Sequence, residues 1–401
     1  MRDSARLQAA IEILDAVIEA ARTEGAAADT LIARYFASRR YAGSGDRAAV
    51  RELVWEAIRT FGEPPCSGRA AMVSLALSRR PDLLPMFDGS QHAAKPIAAG
   101  EAANLPAPVP LWLVPMLEKS LGVDWEQETN ALLGRAPLDI RVNALKARSQ
   151  DEIRHVADAL PASATPITGL PRVLPHALRL AEPVALDRHP LHGAGLFEVQ
   201  DAGSQLAAAM CEASAGETVV DLCAGAGGKT LALAAAMAGR GRLIAADTDR
   251  RRLSQLAPRA ERAGAFCIIE ARLLNPGREI GALGDVTEQA DCVVVDAPCS
   301  GSGTWRRNPE LRWRLSPARL ERVLRLQAHL LDVAVALVRP GGRLVYIVCS
   351  VLQQEGFQQV QGIVERAAFS ARKLELCEAL QLTPARHGCD GFFVARLRKL
   401  W

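Results

Sequence analysis

Hydrophobic positions change their period along the chain, and the changes mark three regions. Leu7, Ile11, Leu14 and Ile18 recur at helical spacing. Leu31, Tyr35 and Phe36 form a second stripe, which gives way to a loop at Arg39-Arg-Tyr-Ala-Gly-Ser-Gly45. Asp46 opens a third, with Val50, Leu53, Val54, Ala57, Ile58 and Phe61. Helical runs continue at 70–77 and 111–121, while 88–110, rich in Gly, Pro and Ala, reads as loop. Residues 1–130 are therefore expected to be all helical. At 138–143 the pattern turns to strand-like alternation, followed by a helix at 150–160 and short strand-like pieces among prolines and histidines. Residues 131–195 predict a small α+β unit. From 196 to 401 short apolar runs alternate with helical stretches. Strands are expected at 218–222, 242–246, 266–269, 291–295 and 343–348, helices at 229–237, 250–263 and 317–338, and a closing hairpin at 391–395. That alternation predicts an α/β, Rossmann-like domain with a doubly wound, largely parallel sheet.

Composition narrows the function classes. Hydrophobic residues make up 49% of the chain, ample for folded cores, yet no run of 18 apolar residues occurs, so no membrane partner is expected. The opening Met-Arg-Asp-Ser-Ala-Arg leads into a charged amphipathic pattern rather than a signal peptide. Nine cysteines, an odd number with no C-x-x-C pair, argue against a disulfide framework or a metal site and for a reducing cytoplasm. Net charge is only +3, but the positive charge is almost all arginine and is clustered. Guanidinium suits phosphates and base stacking better than ammonium does.

The chemistry concentrates at predicted strand ends. The run 291–295 stops at Asp296-Ala-Pro-Cys299, followed by Ser300-Gly-Ser-Gly303. Pro298 fixes φ and the glycines permit tight turns, so a carboxylate and a thiol stand at the carboxyl end of a strand. Open α/β sheets bind their ligands there. A second thiol, Cys349, ends another strand in Tyr346-Ile-Val-Cys-Ser350. A single cysteine is most often a small buried hydrophobe, the reading given to Cys66, Cys211, Cys267, Cys292, Cys377 and Cys389. Two thiols at strand ends beside Asp296 read as a site. Between the first strand and first helix of the sheet lies Asp221-Leu-Cys-Ala-Gly-Ala-Gly-Gly-Lys-Thr230. A phosphate-binding Walker loop needs glycine where Cys223 stands, and a dinucleotide fingerprint needs it where Thr230 stands. Asp247 closes the second strand about 20 residues later, where a carboxylate holds ribose hydroxyls. Together these predict an adenosine cofactor with a short, non-pyrophosphate tail, S-adenosyl-L-methionine. Its binding residues are Cys223, Ala224, Gly225, Ala226, Gly227, Gly228, Lys229 and Asp247, with Asp296 at the neighbouring strand end.

Beside the Asp296 loop, Trp305, Arg306, Arg307, Arg312, Trp313 and Arg314 cluster with only Glu310 opposing them. This reads as an RNA channel of arginine and indole. Arg319, Arg322 and Arg325 read instead as the solvated face of a helix. Arg141, Asn143 and Lys146 suit either phosphate contacts or an ordinary surface. The N-terminal helices suit either simple packing or a docking module using Arg39, Arg40, Arg47, Arg51 and Arg59.

The glycine loop, Asp296-Ala-Pro-Cys-Ser-Gly301 and Tyr346-Ile-Val-Cys-Ser350 together resemble the Sun/Nop family of RNA (cytosine-5) methyltransferases. Gln200-Asp-Ala-Gly-Ser-Gln205 resembles the segment before that family's glycine loop, and Asp390-Gly-Phe-Phe393 its closing strand. Arg141-Val-Asn143 with Lys146 resembles the opening of its small RNA-recognition-like domain. The N-terminal helices, with Tyr41-Ala-Gly-Ser-Gly-Asp-Arg47, resemble the NusB-like extension of the bacterial branch that methylates 16S ribosomal RNA. The resemblance implies a class I methyltransferase domain, S-adenosyl-L-methionine as cofactor and RNA as partner. It also implies Cys349 as the nucleophile on cytosine carbon 6, Cys299 assisting product release and Asp296 holding the base edge. The family's acidic residue near the adenine has no counterpart at its expected place, and Glu270 or Arg272 stands near it. The same chemistry on transfer RNA, or a non-catalytic RNA-binding assembly factor, remains an alternative. A monomer in the cytoplasm is expected.

Overall fold

The structure, a computed structural model, describes residues 1–23, 25–101, 107–370 and 372–401. Its chain divides into two compact units: Met1–Gly134 with Thr304–Pro317, and Arg135–Gly303 with Ala318–Trp401.

The first unit is helical. Asp3–Arg22, Ala28–Ala37, Ser44–Thr60 and Gly68–Ser78 bury the predicted stripes, with Leu7, Leu14, Ile32, Val50 and Ile58 all inaccessible to solvent. The third helix begins before Asp46, because Asp46 works as a cap: its carboxylate accepts from the Gly43 backbone N–H at 3.1 Å. It also accepts from the Met1 ammonium and from Arg6, which hold its pKa down at about 2. The predicted helix at 111–121 starts as a 3-10 turn, and a further helix follows at Trp125–Leu133. Of the 88–110 stretch read as loop, 102–106 lie outside the described residues.

The second unit holds two sheets. Strands β1 (Leu138–Val142), β2 (Ala164–Pro166), β3 (Ala177–Leu180) and β4 (Phe197–Val199) form an antiparallel sheet in the order β2-β3-β1-β4. Next come β5 (Thr218–Asp221), β6 (Arg242–Asp247), β7 (Ile269–Leu273), β8 (Ala290–Asp296), β9 (Val338–Val348), β10 (Leu374–Leu382) and β11 (Phe392–Lys399). They form one mixed sheet in the order β10-β11-β9-β8-β5-β6-β7. Strands β7, β6, β5, β8 and β9 run parallel, and β11 and β10 close the edge antiparallel. Strands β5 and β8, and β9 from Leu344 to Val348, are buried almost throughout, which is why they read as continuous apolar runs.

Two expectations shift. The third strand begins at Ile269, not Phe266, since 266–268 is a 3-10 turn. The helix expected over 250–263 is split into Arg250–Leu253 and Leu256–Ala263. Pro258 explains the break: it has no N–H to donate and its ring crowds the carbonyl of Ser254.

Candidate active site

The strand order reverses between β5 and β8, the place where open α/β sheets bind their ligands. The loop after β5 is the glycine loop. Gly225 (φ +56°) and Gly227 (φ +88°) occupy the left-handed region, where a side chain would be strained, and Gly227 caps the helix Gly228–Ala236. The loop is fixed from the next strand: Asp247, at the end of β6, accepts the Gly225 N–H at 2.7 Å and the Asp249 N–H at 2.7 Å. An oriented, largely buried carboxylate beside bare glycine backbone fits the adenosyl cofactor expected there. Glu270 and Arg272 do not join it. Glu270 accepts from Arg242 and Arg272, and Arg272 also donates to Asp285. That ion network accounts for both side chains.

Asp221 starts the loop, fully buried, with Thr230 Oγ1 donating to its Oδ2 at 2.7 Å. Its Oδ1 has no partner among the described residues. Burial, abetted by the nearby Asp296 and Asp247 charges, pushes its pKa up to about 7, against the pull of the Thr230 hydroxyl and Lys229. Lys229, in the first turn of the helix, reaches across to β8 and donates to Asp296 Oδ2 at 2.8 Å. Its ammonium also lies 5.3 Å from the centre of the Phe392 ring. Burial alone would lower the lysine's pKa, but the Asp296 charge and hydrogen bond outweigh it and raise the value. Lys229 thus neutralises the carboxylate at the strand end.

The two thiols meet. Strands β8 and β9 pair in parallel with Asp296 opposite Ile347, and the Ala297 N–H donates to Ile347 O at 2.9 Å. Cys299 and Cys349, two residues beyond Ala297 and Ile347, bring their sulfurs to 3.4 Å. Both side chains are half-buried. The contact with Cys349, reinforced by burial, pushes the Cys299 thiol well above its ordinary pKa. The loop after β8 depends on bare backbone. A Cβ at Gly303 would stand 1.9 Å from the Gly391 carbonyl oxygen, and the Gly303 N–H donates to Cys349 O at 3.1 Å.

Beneath the thiols lies a polar cluster that sequence reading did not single out. Glu355, with no exposure, accepts from the Ser300 N–H, the Ser300 and Ser350 hydroxyls and the Gln327 amide. The only sequence signal was the serine following each cysteine.

The structure moves most of the expected RNA contacts inside. Arg141 is buried, its Nε donating to Gln200 Oε1 at 2.7 Å, and burial lowers its pKa to about 10. The Asn143 amide bridges Gly195 O and Ala263 O, at 2.9 and 2.8 Å. The Lys146 ammonium bridges Ala194 O and Arg262 O, each at 2.7 Å. Asn143 and Lys146 staple backbone together, Lys146 from the surface, and Arg141 is held inside by Gln200 with its Nη2 unpaired among the described residues. In the helical unit Trp305 is fully buried, with the Arg312 guanidinium 5.8 Å from its ring centre. Arg312 is 1% exposed and donates to the carbonyls of Ile58 (2.8 Å), Pro309 (3.2 Å) and Pro108. Arg306 is buried too, whereas Arg307 is half-buried. Trp313 Nε1 donates to Phe61 O at 2.7 Å, and Arg314 donates to Gly25 O and Ala26 O. The arginine–tryptophan segment is therefore cement for the helical unit, not an open channel. Helix termini and loops leave carbonyls unpaired, and guanidinium forks satisfy them.

Residues 208–398 match the family model described as 16S rRNA methyltransferase RsmB/F. The chain is 33% identical over 319 residues to a probable ribosomal RNA small subunit methyltransferase B of Synechocystis, covering 76% of this chain and 68% of that protein. It is 31% identical over 349 residues to the ribosomal RNA small subunit methyltransferase B of Salmonella arizonae, covering 84% and 78%. Among solved structures, a methyltransferase homolog from Pyrococcus horikoshii superposes with a TM-score of 0.60 at 25% identity, covering 72% of this chain and 95% of the other.

Proposed function

The chain belongs to the RsmB/F family of 16S rRNA methyltransferases, and from that premise we propose that it forms 5-methylcytosine in 16S ribosomal RNA through a covalent Cys349–cytosine adduct. The observation that carries the reading is the 3.4 Å thiol pair at adjoining strand ends beside the Lys229–Asp296 ion pair.

Cytosine carbon 5 is a poor nucleophile. Addition of the Cys349 sulfur to carbon 6 makes carbon 5 enamine-like and able to accept a methyl group. S-adenosylmethionine supplies that group. Asp296 holds the ring-nitrogen-3 edge, where charge changes during addition. Lys229 fixes Asp296 Oδ2 and balances its charge, so the carboxyl group is oriented before the base arrives. Once carbon 5 is methylated, water takes its proton, the C–H electron pair restores the carbon 5–carbon 6 double bond, and the carbon 6–sulfur bond breaks with its pair returning to Cys349. Cys299, in contact with Cys349, assists that elimination. Asp247 orients the ribose hydroxyls and the glycine backbone accommodates the remainder of the cofactor.

The small antiparallel sheet serves as the RNA-recognition-like module and the helical unit as a NusB-like docking module, in a monomer acting in the cytoplasm. The test uses tritiated S-adenosylmethionine with deproteinised 16S RNA, intact small subunits and bulk transfer RNA in parallel. Label recovered as 5-methylcytosine in 16S RNA is expected. Label in transfer RNA alone would overturn the substrate, and no label anywhere would overturn the catalytic reading.

A further inference from the structure

Cys299 and Cys349 lie on different loops fifty residues apart in the chain, and something must fix the distance between them. The residues that follow them converge on one side chain. Glu355 Oε1 accepts the Ser300 backbone N–H at 2.7 Å and the Gln327 amide at 3.0 Å. Its Oε2 accepts both the Ser300 hydroxyl and the Ser350 hydroxyl. Ser302 closes the ring: its hydroxyl lies 2.9 Å from Ser350 Oγ and accepts the Val351 N–H at 3.1 Å. The Glu355 backbone is anchored in turn, since the Tyr346 hydroxyl donates to Glu355 O at 2.6 Å. Ser302, Gln327, Ser350 and Glu355 all have 0% exposure, and Ser300 has 6%.

A carboxylate taken fully out of water is costly unless its lone pairs are filled. Here all four donors come from the two thiol loops or from Gln327, and Gln327 also donates to Pro298 O at 2.9 Å, next to Cys299. Solvation of the charge and placement of the loops are one and the same set of bonds. We infer that Glu355 is the positioning residue of the reaction centre: it clamps Ser300 and Ser350 and so holds Cys299 at working distance from Cys349. The catalytic part of this inference rests on the function proposed above; the clamp itself does not.

Glu355→Gln separates the two. With its amide nitrogen turned toward the serine hydroxyls, which can rotate to accept, glutamine fills the same space. The charge that ties both loops is then gone. Methylation is expected to show kcat lowered about tenfold to a hundredfold, as for small misplacements of reacting groups, with KM for RNA and cofactor nearly unchanged. A covalent RNA–protein adduct should accumulate, because product release needs the second thiol in place. A loss that was merely structural would not produce that adduct.

The second readout needs no RNA. In a parent whose exposed Cys66, Cys267 and Cys377 are replaced by serine, oxidised glutathione converts the Cys299 and Cys349 thiols to a disulfide and is itself reduced to two glutathione thiols. The equilibrium constant measures how well the loops hold the sulfurs together, and mass mapping identifies the bridge. Glu355→Gln should lower that constant about tenfold or more. Ser350→Ala, which removes one arm only, should shift it in the same direction and serves if the glutamine variant does not fold. An unchanged constant together with an unchanged adduct level would overturn the clamp and leave the proposed function standing. A parent that forms no Cys299–Cys349 bridge would contradict the contact and overturn the clamp as well. A weakened bridge in a protein that methylates no RNA would keep the clamp and sink the proposed function.

Discussion

Arg312→Met distinguishes cement from RNA contact. The side chain is 1% exposed and supplies donors to three carbonyls, those of Ile58, Pro108 and Pro309. Methionine keeps most of the apolar stem and removes every donor. Each carbonyl left unpaired in the interior costs about 1–3 kcal/mol, so three give an upper bound near 9 kcal/mol. Against this, the variant no longer buries a cation, a saving of several kcal/mol. Burial and the like charge of Arg59 already disfavour that cation, lowering its pKa to about 9. The carbonyl penalty less that saving leaves an expected loss of about 3–5 kcal/mol for the helical unit. At about 2–4 °C per kcal/mol for a unit of this size, its melting temperature should fall by on the order of 10 °C. Hydrogen exchange or proteolysis at 44–60, read beside calorimetry, locates the effect in that unit. RNA affinity measured against salt at a temperature where the variant is folded should keep its slope. The opposite pattern would refute the reasoning: stability within about 0.5 kcal/mol of the parent and a salt slope reduced by about one.

Cys349→Ala should abolish methylation with little change in melting temperature, whereas Cys299→Ala should leave a trapped RNA adduct resolved by denaturing electrophoresis. A fully active Cys349→Ala enzyme would remove the nucleophile assignment. Asp221→Asn tests the buried carboxyl. A pKa raised to about 7 means that the folded state binds the proton more tightly than the unfolded one. Asp221 therefore favours folding most at low pH, and its contribution, up to about 4 kcal/mol, is lost as pH rises from about 4 through 7. The difference in unfolding free energy between parent and Asp221→Asn should change over that window in urea titrations, and a difference flat with pH would contradict the assignment. Gly303→Ala would force its new carbon to within 1.9 Å of the Gly391 carbonyl oxygen, so the loop must move. A loss of about 1–3 kcal/mol with weaker Cys299–Cys349 pairing is expected, and wild-type stability and pairing would show that the approach is not tight.

Much of the candidate site's arrangement was legible because its signals are local. Apolar runs bounded by Gly and Pro located β5, β6, β8 and β9, and the residues at their carboxyl ends are Asp221, Asp247, Asp296 and Cys349. A glycine loop between strand and helix, with a carboxylate at the next strand end, needs no tertiary information to suggest an adenosyl cofactor. Other parts had no local signal. That Lys229 pairs with Asp296, or that one thiol touches the other, follows from which strands are neighbours and in what register, and the chain does not spell out either.

The arginines show the limit most clearly. Along the sequence, Arg306, Arg307, Arg312 and Arg314 beside two tryptophans look like a solvent-facing anion groove. Charge and spacing say nothing about whether a carbonyl waits within reach, and here Ile58, Phe61, Pro108, Gly25 and Ala26 supply them from far upstream. Asn143 likewise bonds distant backbone carbonyls from inside, Lys146 does so from the surface, and Arg141 is buried against Gln200. Glu355 illustrates the converse: an unremarkable acid on the sequence, five residues past a Cys-Ser pair, becomes the common acceptor of two loops once β8 and β9 lie side by side. The sequence by itself determined the elements, their order and the chemical groups at the strand ends, because periodicity and turn residues act over a few positions. Only the tertiary structure decided which of those groups meet and which charges face water, because both depend on donors and acceptors brought together from distant parts of the chain.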